Sequence, residues 1–262
     1  MKTGIFVLIL DRMYTLKKSL GQHFLKDETV CVSIVDSLKA HPFTRLLEVG
    51  PGGGALTTHL LNIKGVDFKA IEIDKEKVIY LENRFPELKD KLIEASILDA
   101  ELPFDQPFTM IGNFPYNIST QIVFKVIDWR ESVEVMVGMF QKEVAIRICA
   151  SPGSKDYGIL SVLTQAFFKA EYLFDVNEAC FDPPPKVTSG VIRLTGIGNP
   201  YGIKNFKKFL MLVKTAFGQR RKQLRNPLKP YFKKEILQEE IFTKRAEQLS
   251  VQDFVNLLNK MQ

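Results

Sequence analysis

The run "LLEVGPGGG" (46–54) joins an apolar strand pattern to a glycine-rich turn, and its reading decides the fold. Leu46, Leu47 and Val49 suit a buried strand. Gly50, Gly52 and Gly54 follow it at alternate positions. Glycine there lets the backbone bend sharply and lets a ligand lie against main chain just ahead of a helix. A glycine turn by itself is a weak signal. It gains weight from "AIEID" (70–74), where Glu72 ends the next apolar run, 22 residues after Gly50. An acid at that place can accept hydrogen bonds from both hydroxyls of a ribose. Together the two segments point to a cofactor built on a nucleoside.

Working outward, strand-like runs recur with helix-length segments between them: "RLLEVG" (45–50), "DFKAIEI" (67–73), "KLIEASI" (91–97), "FTMIGN" (108–113) and "VEVMVGMF" (133–140). That alternation predicts an α/β domain, a mainly parallel Rossmann-like sheet covered by helices on both faces. "TGIGNPYG" (195–202) holds three Gly and one Pro and marks a boundary. Beyond it Phe206, Phe209, Leu210, Val213 and Phe217 recur at helical spacing, and Ser250 with Asp253 reads as a helix start. The expected division is a catalytic domain over 1–197 and a small all-helical domain over 198–262. Charge divides there too. Residues 199–262 hold 14 Lys/Arg against 5 Asp/Glu, whereas the first 198 hold 22 against 25. A basic tail on a slightly acidic body suits a polyanionic partner.

The cofactor need not be a dinucleotide. Glu48 stands two residues before the first glycine, and a pyrophosphate is disfavoured beside a carboxylate. A sulfonium cofactor with an α-amino group has no phosphate and carries positive charge. Asp99 in "SILDA" (96–100) is read as closing the next strand, where it can accept from an adenine amine. Glu48, Glu72 and Asp99 at three successive strand ends then form one site for S-adenosylmethionine. "GNFPYN" (112–117) follows a fourth strand and opens at the same edge. Pro115 fixes its own φ and keeps Phe114 extended. Asn113 offers an amide oxygen and Tyr116 a ring, which suits an amino group on a planar base.

These segments resemble a known family. "KKSLGQHFLKD", "LEVGPGGGALT", "GNFPYNIST", "QKEVAIRI", "SKDYGILSVLTQ", "FDPPPKVTSGVIRL" and "AFGQRRKQLRNPL" are similar, in order, to blocks of the small-subunit ribosomal RNA adenine dimethyltransferases. The resemblance runs from about residue 15 to the end; residues 1–14 read as an extension outside it. It implies that His23 and Leu25 touch S-adenosylmethionine, His23 standing where many members have Asn. It implies that Gly50 lies against the cofactor's methionine, Glu72 holds the ribose and Asp99 meets the adenine. Asn113 would sit between cofactor and target. Tyr116 and Phe181 would sandwich the target base, although Phe181 also reads as an ordinary buried ring. Arg220, Arg221, Lys222 and Arg225 would hold RNA phosphates. The implied product is N6,N6-dimethyladenosine at two adjacent adenines of a hairpin near the 3′ end of small-subunit RNA. The other readings are a large-subunit enzyme, a DNA adenine methyltransferase and a non-catalytic RNA-binding assembly factor of the same fold.

Other functions fit poorly. Three cysteines and three histidines, scattered along the chain, match neither a disulfide framework nor a zinc motif, so no metal is expected. The apolar run Ile5–Leu10 is closed by Asp11 and Arg12 and falls far short of the roughly 20 residues of a membrane span. It reads as a strand, or as a stretch upstream of a start at Met13. A cytoplasmic monomer without a membrane partner is expected.

Overall fold

The structure, a computed structural model, describes residues 23–261. The run Ile5–Leu10 and most of the "KKSLGQHFLKD" block lie outside the described residues. Packing divides the chain into two units. One comprises residues up to Ala145 together with Tyr172–Leu194, the other Ile146–Glu171 together with the chain from Thr195.

The strands are β1 (Phe24–Leu25), β2 (Arg45–Val49), β3 (Asp67–Glu72), β4 (Leu92–Glu94), β5 (Phe108–Asn113), β6 (Val133–Gln141), β7 (Phe168–Val176), β8 (Phe181–Asp182) and β9 (Ser189–Gly196). Seven of them form one sheet in the order β4-β3-β2-β5-β6-β9-β7. Neighbours from β4 through β6 run parallel. The five strand-like runs of the sequence become β2 to β6. The central β5 and β6 read as nearly continuous apolar stretches because parallel strands inside a sheet are covered on both faces. In β5 every residue from Phe108 to Gly112 is buried.

Strand order reverses between β2 and β5: the chain steps outward from β2 through β3 to β4, then returns to the other side of β2. Loops beyond the carboxyl ends diverge at such a point and leave a crevice there. The helices that follow the first strands are short. They are α1 (Glu28–Asp36), capped by the Asp27 side chain, α2 (Thr57–Leu60) and α3 (Lys75–Arg84), capped by Asp74. Helix α4 (Ser119–Asp128) follows β5, and α5 (Lys142–Cys149) follows β6.

A two-stranded antiparallel pair lies outside the main sheet. It joins Phe24 to Asp182 and Leu25 to Phe181. Two blocks some 157 positions apart are thereby brought side by side, which no local pattern announces.

In the second unit α6 (Ile159–Gln165), α7 (Phe206–Gly218) and α8 (Val251–Lys260) surround a separate core. The buried stripe of α7 is Phe209, Leu212, Val213 and Ala216. The Ser250 hydroxyl accepts from the Asp253 N–H, and the Asp253 carboxylate accepts from Ser250 in return, closing a capping box. Sequence reading placed residues 146–171 with the first unit; their packing places them with the second. Tyr157 meets Phe217 edge-on, and the Gly153 N–H donates to the Glu247 carbonyl. Such contacts link positions 60 to 94 residues apart, beyond the reach of any linear boundary signal.

Candidate functional site

A cavity of about 300 Å³ opens at the carboxyl edge of the sheet. Its lining comes from four successive loops: Gly50–Gly53 after β2, Glu72 and Ile73 at β3, Ala95–Leu98 after β4, and Asn113–Ile118 after β5. His23, Phe24 and Leu25 cover it from β1.

The glycine turn is fixed by hydrogen bonds to the neighbouring strand. The Gly50 N–H donates to the Ile71 carbonyl at 2.9 Å. Gly50 has φ of +68°, and a Cβ there would meet nothing within 4 Å, so open space faces it. Gly54 is different. Its Cβ would stand 2.5 Å from Phe85, so this glycine serves packing.

Glu72 is nearly buried at the end of β3. Its Oε2 accepts from the Gly52 N–H at 3.1 Å and its Oε1 from the Asp74 N–H at 3.0 Å. One carboxylate thus ties the glycine turn to the start of α3. Each oxygen keeps a lone pair for a further donor.

Glu48 is 1% exposed, and its Oε2 accepts from the Thr57 hydroxyl at 2.7 Å. Burial pushes its carboxyl up to about 8, and the negative charge of Glu72 adds to this. At neutral pH the group is mostly protonated, whereas the sequence reading treated it as a charged carboxylate. A cation entering the cavity favours its ionised form, so the residue suits a positively charged ligand by releasing a proton to accept it. The folded carboxyl keeps its proton up to about pH 8, whereas an ordinary one loses it near 4.5. The folded state therefore holds the extra proton between these values. Stability of the ligand-free protein is expected to fall as pH rises across that window and to level off above it. Urea unfolding at several pH values checks this, and Glu48→Gln should flatten the curve.

Asp99 is not at a strand end. Strand β4 stops at Glu94, and Asp99 lies five residues on, exposed in a turn. Ala95 to Leu98 line the cavity; Asp99 follows directly but does not line it. The apolar run that suggested a longer strand instead sends Ile97 into the core.

The Asn113–Tyr116 segment is held residue by residue. The Asn113 amide donates to the His23 carbonyl at 3.2 Å, which leaves its Oδ1 available as an acceptor. Phe114 is 1% exposed and packs on Phe140 at 5.0 Å between ring centroids. Gly112 and Gly138, paired across β5 and β6, make its seat. A Cβ on Gly138 would stand 2.3 Å from its ring and one on Gly112 2.6 Å. Tyr116 lies against His23, with centroids 5.5 Å apart and planes 29° from parallel. Its hydroxyl meets the Ser189 hydroxyl at 2.5 Å. The His23 Nδ1 is 2.9 Å from the Pro183 carbonyl.

Of the two readings of Phe181, the structure shows the buried ring. It is fully buried, packed in the core and paired with Leu25 in the small sheet, and does not line the cavity. The ring facing Tyr116 is that of His23. Sequence reading also missed Thr57, Lys77 and Ser189. Lys77 lines the cavity, with its ammonium 4.6 Å from the Phe24 ring centre. Thr57 and Ser189 stand inside two of the quoted blocks, and Lys77 outside them, but nothing local singles any of the three out. The premise that histidines stay apart from cysteines also fails: His59, Cys31 and Glu28 offer ligand atoms within 4.8 Å of one another. They come from α1 and α2, and the His59 Nε2 lies 3.1 Å from an oxygen of the largely exposed Glu28.

In the second unit the basic cluster is uneven. Arg221 and Lys222 are exposed. Arg220 donates to the Lys155 carbonyl at 2.6 Å and lies 3.8 Å from Glu247, so its charge is engaged within the unit. Arg225 is half-buried.

The profile of the family described as ribosomal RNA adenine dimethylase matches residues 13–262. The chain belongs to this family. It is thus an enzyme, a methyltransferase acting on adenine in ribosomal RNA. It is 50% identical over 249 residues to ribosomal RNA small subunit methyltransferase A of Cytophaga hutchinsonii, covering 94% of this chain and 96% of the relative. It is 51% identical over 251 residues to the protein of the same description from Flavobacterium johnsoniae, covering 94% and 95%. Among solved structures it resembles a dimethyladenosine transferase from Plasmodium falciparum at a TM-score of 0.76, with 25% identity over 91% of this chain and 99% of that one. The 23S rRNA methyltransferase ErmE shares the fold at a TM-score of 0.69, with 23% identity over 90% and 99% of the two chains. Methyltransferases of this family use S-adenosylmethionine. The open space at Gly50 and the buried acceptors Glu48 and Glu72 fit such a ligand. No helix among the described residues is long and apolar enough to cross a membrane.

Proposed function

We propose that the chain transfers methyl groups to N6 of two adjacent adenines in a hairpin near the 3′ end of small-subunit ribosomal RNA. The product is N6,N6-dimethyladenosine, formed in the cytoplasm during ribosome assembly by a monomeric enzyme. The observation that carries this reading is the Asn113 amide. Its nitrogen is committed to the His23 carbonyl, so its oxygen remains to accept an N–H at the wall of the cavity.

S-adenosylmethionine, when bound, supplies an electrophilic methyl group. Glu72 would accept from its ribose hydroxyls, Glu48 would offset its positive charge and Gly50 would leave it room along the main chain. Asp99, one residue beyond the lining turn, would accept from the adenine amine. Adenine N6 is a poor nucleophile, because its lone pair is delocalised into the ring. Asn113 Oδ1 and a main-chain carbonyl of the segment accept its two N–H bonds. They draw the nitrogen toward tetrahedral geometry and aim its lone pair, and Tyr116 holds the ring face. So aimed, N6 would accept the methyl group that the bound sulfonium supplies, the sulfur keeping the electrons of the bond it gives up. The proton left on nitrogen passes to water, so no strong base is needed. The target leaves its stack to enter.

Labelled S-adenosylmethionine and unmethylated small subunits, followed by mass spectrometry of digested RNA, test the proposal. Dimethyladenosine supports it. Methyl groups on cytosine or guanine, or monomethyladenosine alone, overturn it. Label that enters only separated large subunits supports the rival enzyme, and no label at all an assembly factor.

The second unit's role is to hold RNA phosphates through exposed charge. Reversing Arg221 and Lys222 together should weaken RNA binding and reduce its log–log salt slope by about one per lost contact, with cofactor affinity unchanged. Binding isotherms at several salt concentrations read this directly. A steady slope with reduced cofactor affinity would refute the assignment.

A further inference from the structure

Three residues of the Asn113–Tyr116 segment are set by their surroundings: Asn113 by the His23 carbonyl, Phe114 by the seat between Gly112 and Gly138, and Pro115 by its own ring. Tyr116 is held differently. One face of its ring lies on His23, and its far end is fixed by the Ser189 hydroxyl. Ser189 is the first residue of β9, 73 positions away, and is fully buried. Its side of the pairing with the half-buried Tyr116 is out of water, which strengthens the bond.

The two transfers place unequal demands on this ring. An unmodified adenine offers two N–H bonds, and two acceptors can then fix its amino group. After one methyl has been added, a single N–H remains. One of the two orienting hydrogen bonds is lost, and the nitrogen is bulkier. A larger share of the base's orientation then falls on the face it stacks against. The electron and proton balance is the same in both steps, so the difference lies in positioning alone.

We propose that Ser189 is a positioning residue for the second methyl transfer: by holding the Tyr116 hydroxyl it fixes the ring against which monomethyladenine must be aligned. This rests on the reading of the cavity as an adenine N6 methylation site. Ser189 touches neither reacting atoms nor cofactor; it acts through Tyr116.

The test uses the full chain and unmethylated small subunits. Single-turnover time courses are resolved by mass spectrometry into unmodified, monomethylated and dimethylated adenosine. Wild type, Ser189→Ala, Tyr116→Phe and the double variant are compared. Each single variant deletes the same hydroxyl pairing from one side, and Tyr116→Phe leaves the buried serine in place should Ser189→Ala fold poorly. The expected result is accumulation of monomethyladenosine, the second transfer slowing about fivefold more than the first, the scale of one net hydrogen bond. The double variant should be no worse than either single one, because both remove one shared interaction. Affinity for S-adenosylmethionine should not change.

Equal slowing of both transfers in Tyr116→Phe would reduce the serine to a structural role and overturn the proposal. So would an unaltered product ratio, or effects that add in the double variant. If the wild-type protein itself forms no N6-methyladenosine, the underlying reading of the site fails instead, which the control lane shows separately.

Discussion

Asn113→Ala is expected to slow methyl transfer by about 10²-fold or more, the usual scale for one lost positioning group in an active site. Binding of S-adenosylmethionine should be largely retained, because Glu72, Glu48 and the glycine turn lie on other strands. Asn113 ends β5 and enters the loop, so its backbone is held by the sheet on one side and by Phe114 on the other. Removing its amide deletes the acceptor for the N6 hydrogens and frees the His23 carbonyl, while the loop keeps its course. Rate and affinity should therefore separate. Single-turnover rates and calorimetric titration on the same preparation check this. A parallel loss of both would make Asn113 a cofactor contact first and a catalytic group second.

Glu72→Ala should weaken S-adenosylmethionine binding by about 1–3 kcal/mol, the range for charge-assisted hydrogen bonds. The geometry gives the residue a double duty. Its two oxygens already hold the Gly52 and Asp74 N–H groups, so the alanine variant also releases the glycine turn. Glu72→Gln separates the two effects. It keeps the length and one acceptor oxygen but turns an amide N–H₂ toward one of the backbone donors. Its affinity is expected to fall between wild type and the alanine variant. Unchanged affinity in Glu72→Ala, measured by calorimetry, would remove the residue from the site.

The sequence carried the strands of the first half and the location of the crevice, because both follow from local chemistry; the order β4-β3-β2-β5-β6 came from the fold. A parallel strand covered on both faces must be apolar almost throughout, and the central β5 and β6 are. A turn that has to leave space beside its main chain uses glycine, and Gly50 does so with positive φ. The acid at the end of β3 and the Asn-Phe-Pro-Tyr segment were legible for the same reason: each is a short block whose residues act together. The helix start at Ser250, closed by Asp253, is likewise local.

Only the tertiary structure decided the rest, and in each case because the deciding partner is remote in the chain. It pairs Phe181 with Leu25 and buries its ring, where the sequence left a base-stacking and an ordinary buried ring both open. It ends β4 at Glu94 and moves Asp99 into a turn, since a short edge strand and a longer one share the same apolar residues. It turns Glu48 from a carboxylate into a buried acid, because burial is a property of the surrounding loops and not of the glutamate. It divides the basic cluster into the engaged Arg220 and the exposed Arg221 and Lys222. It also brings Ser189 to Tyr116 across 73 positions. Linear patterns report which groups a short segment needs. They do not report which distant atom will meet a given side chain, because that contact exists only once the sheet has been assembled.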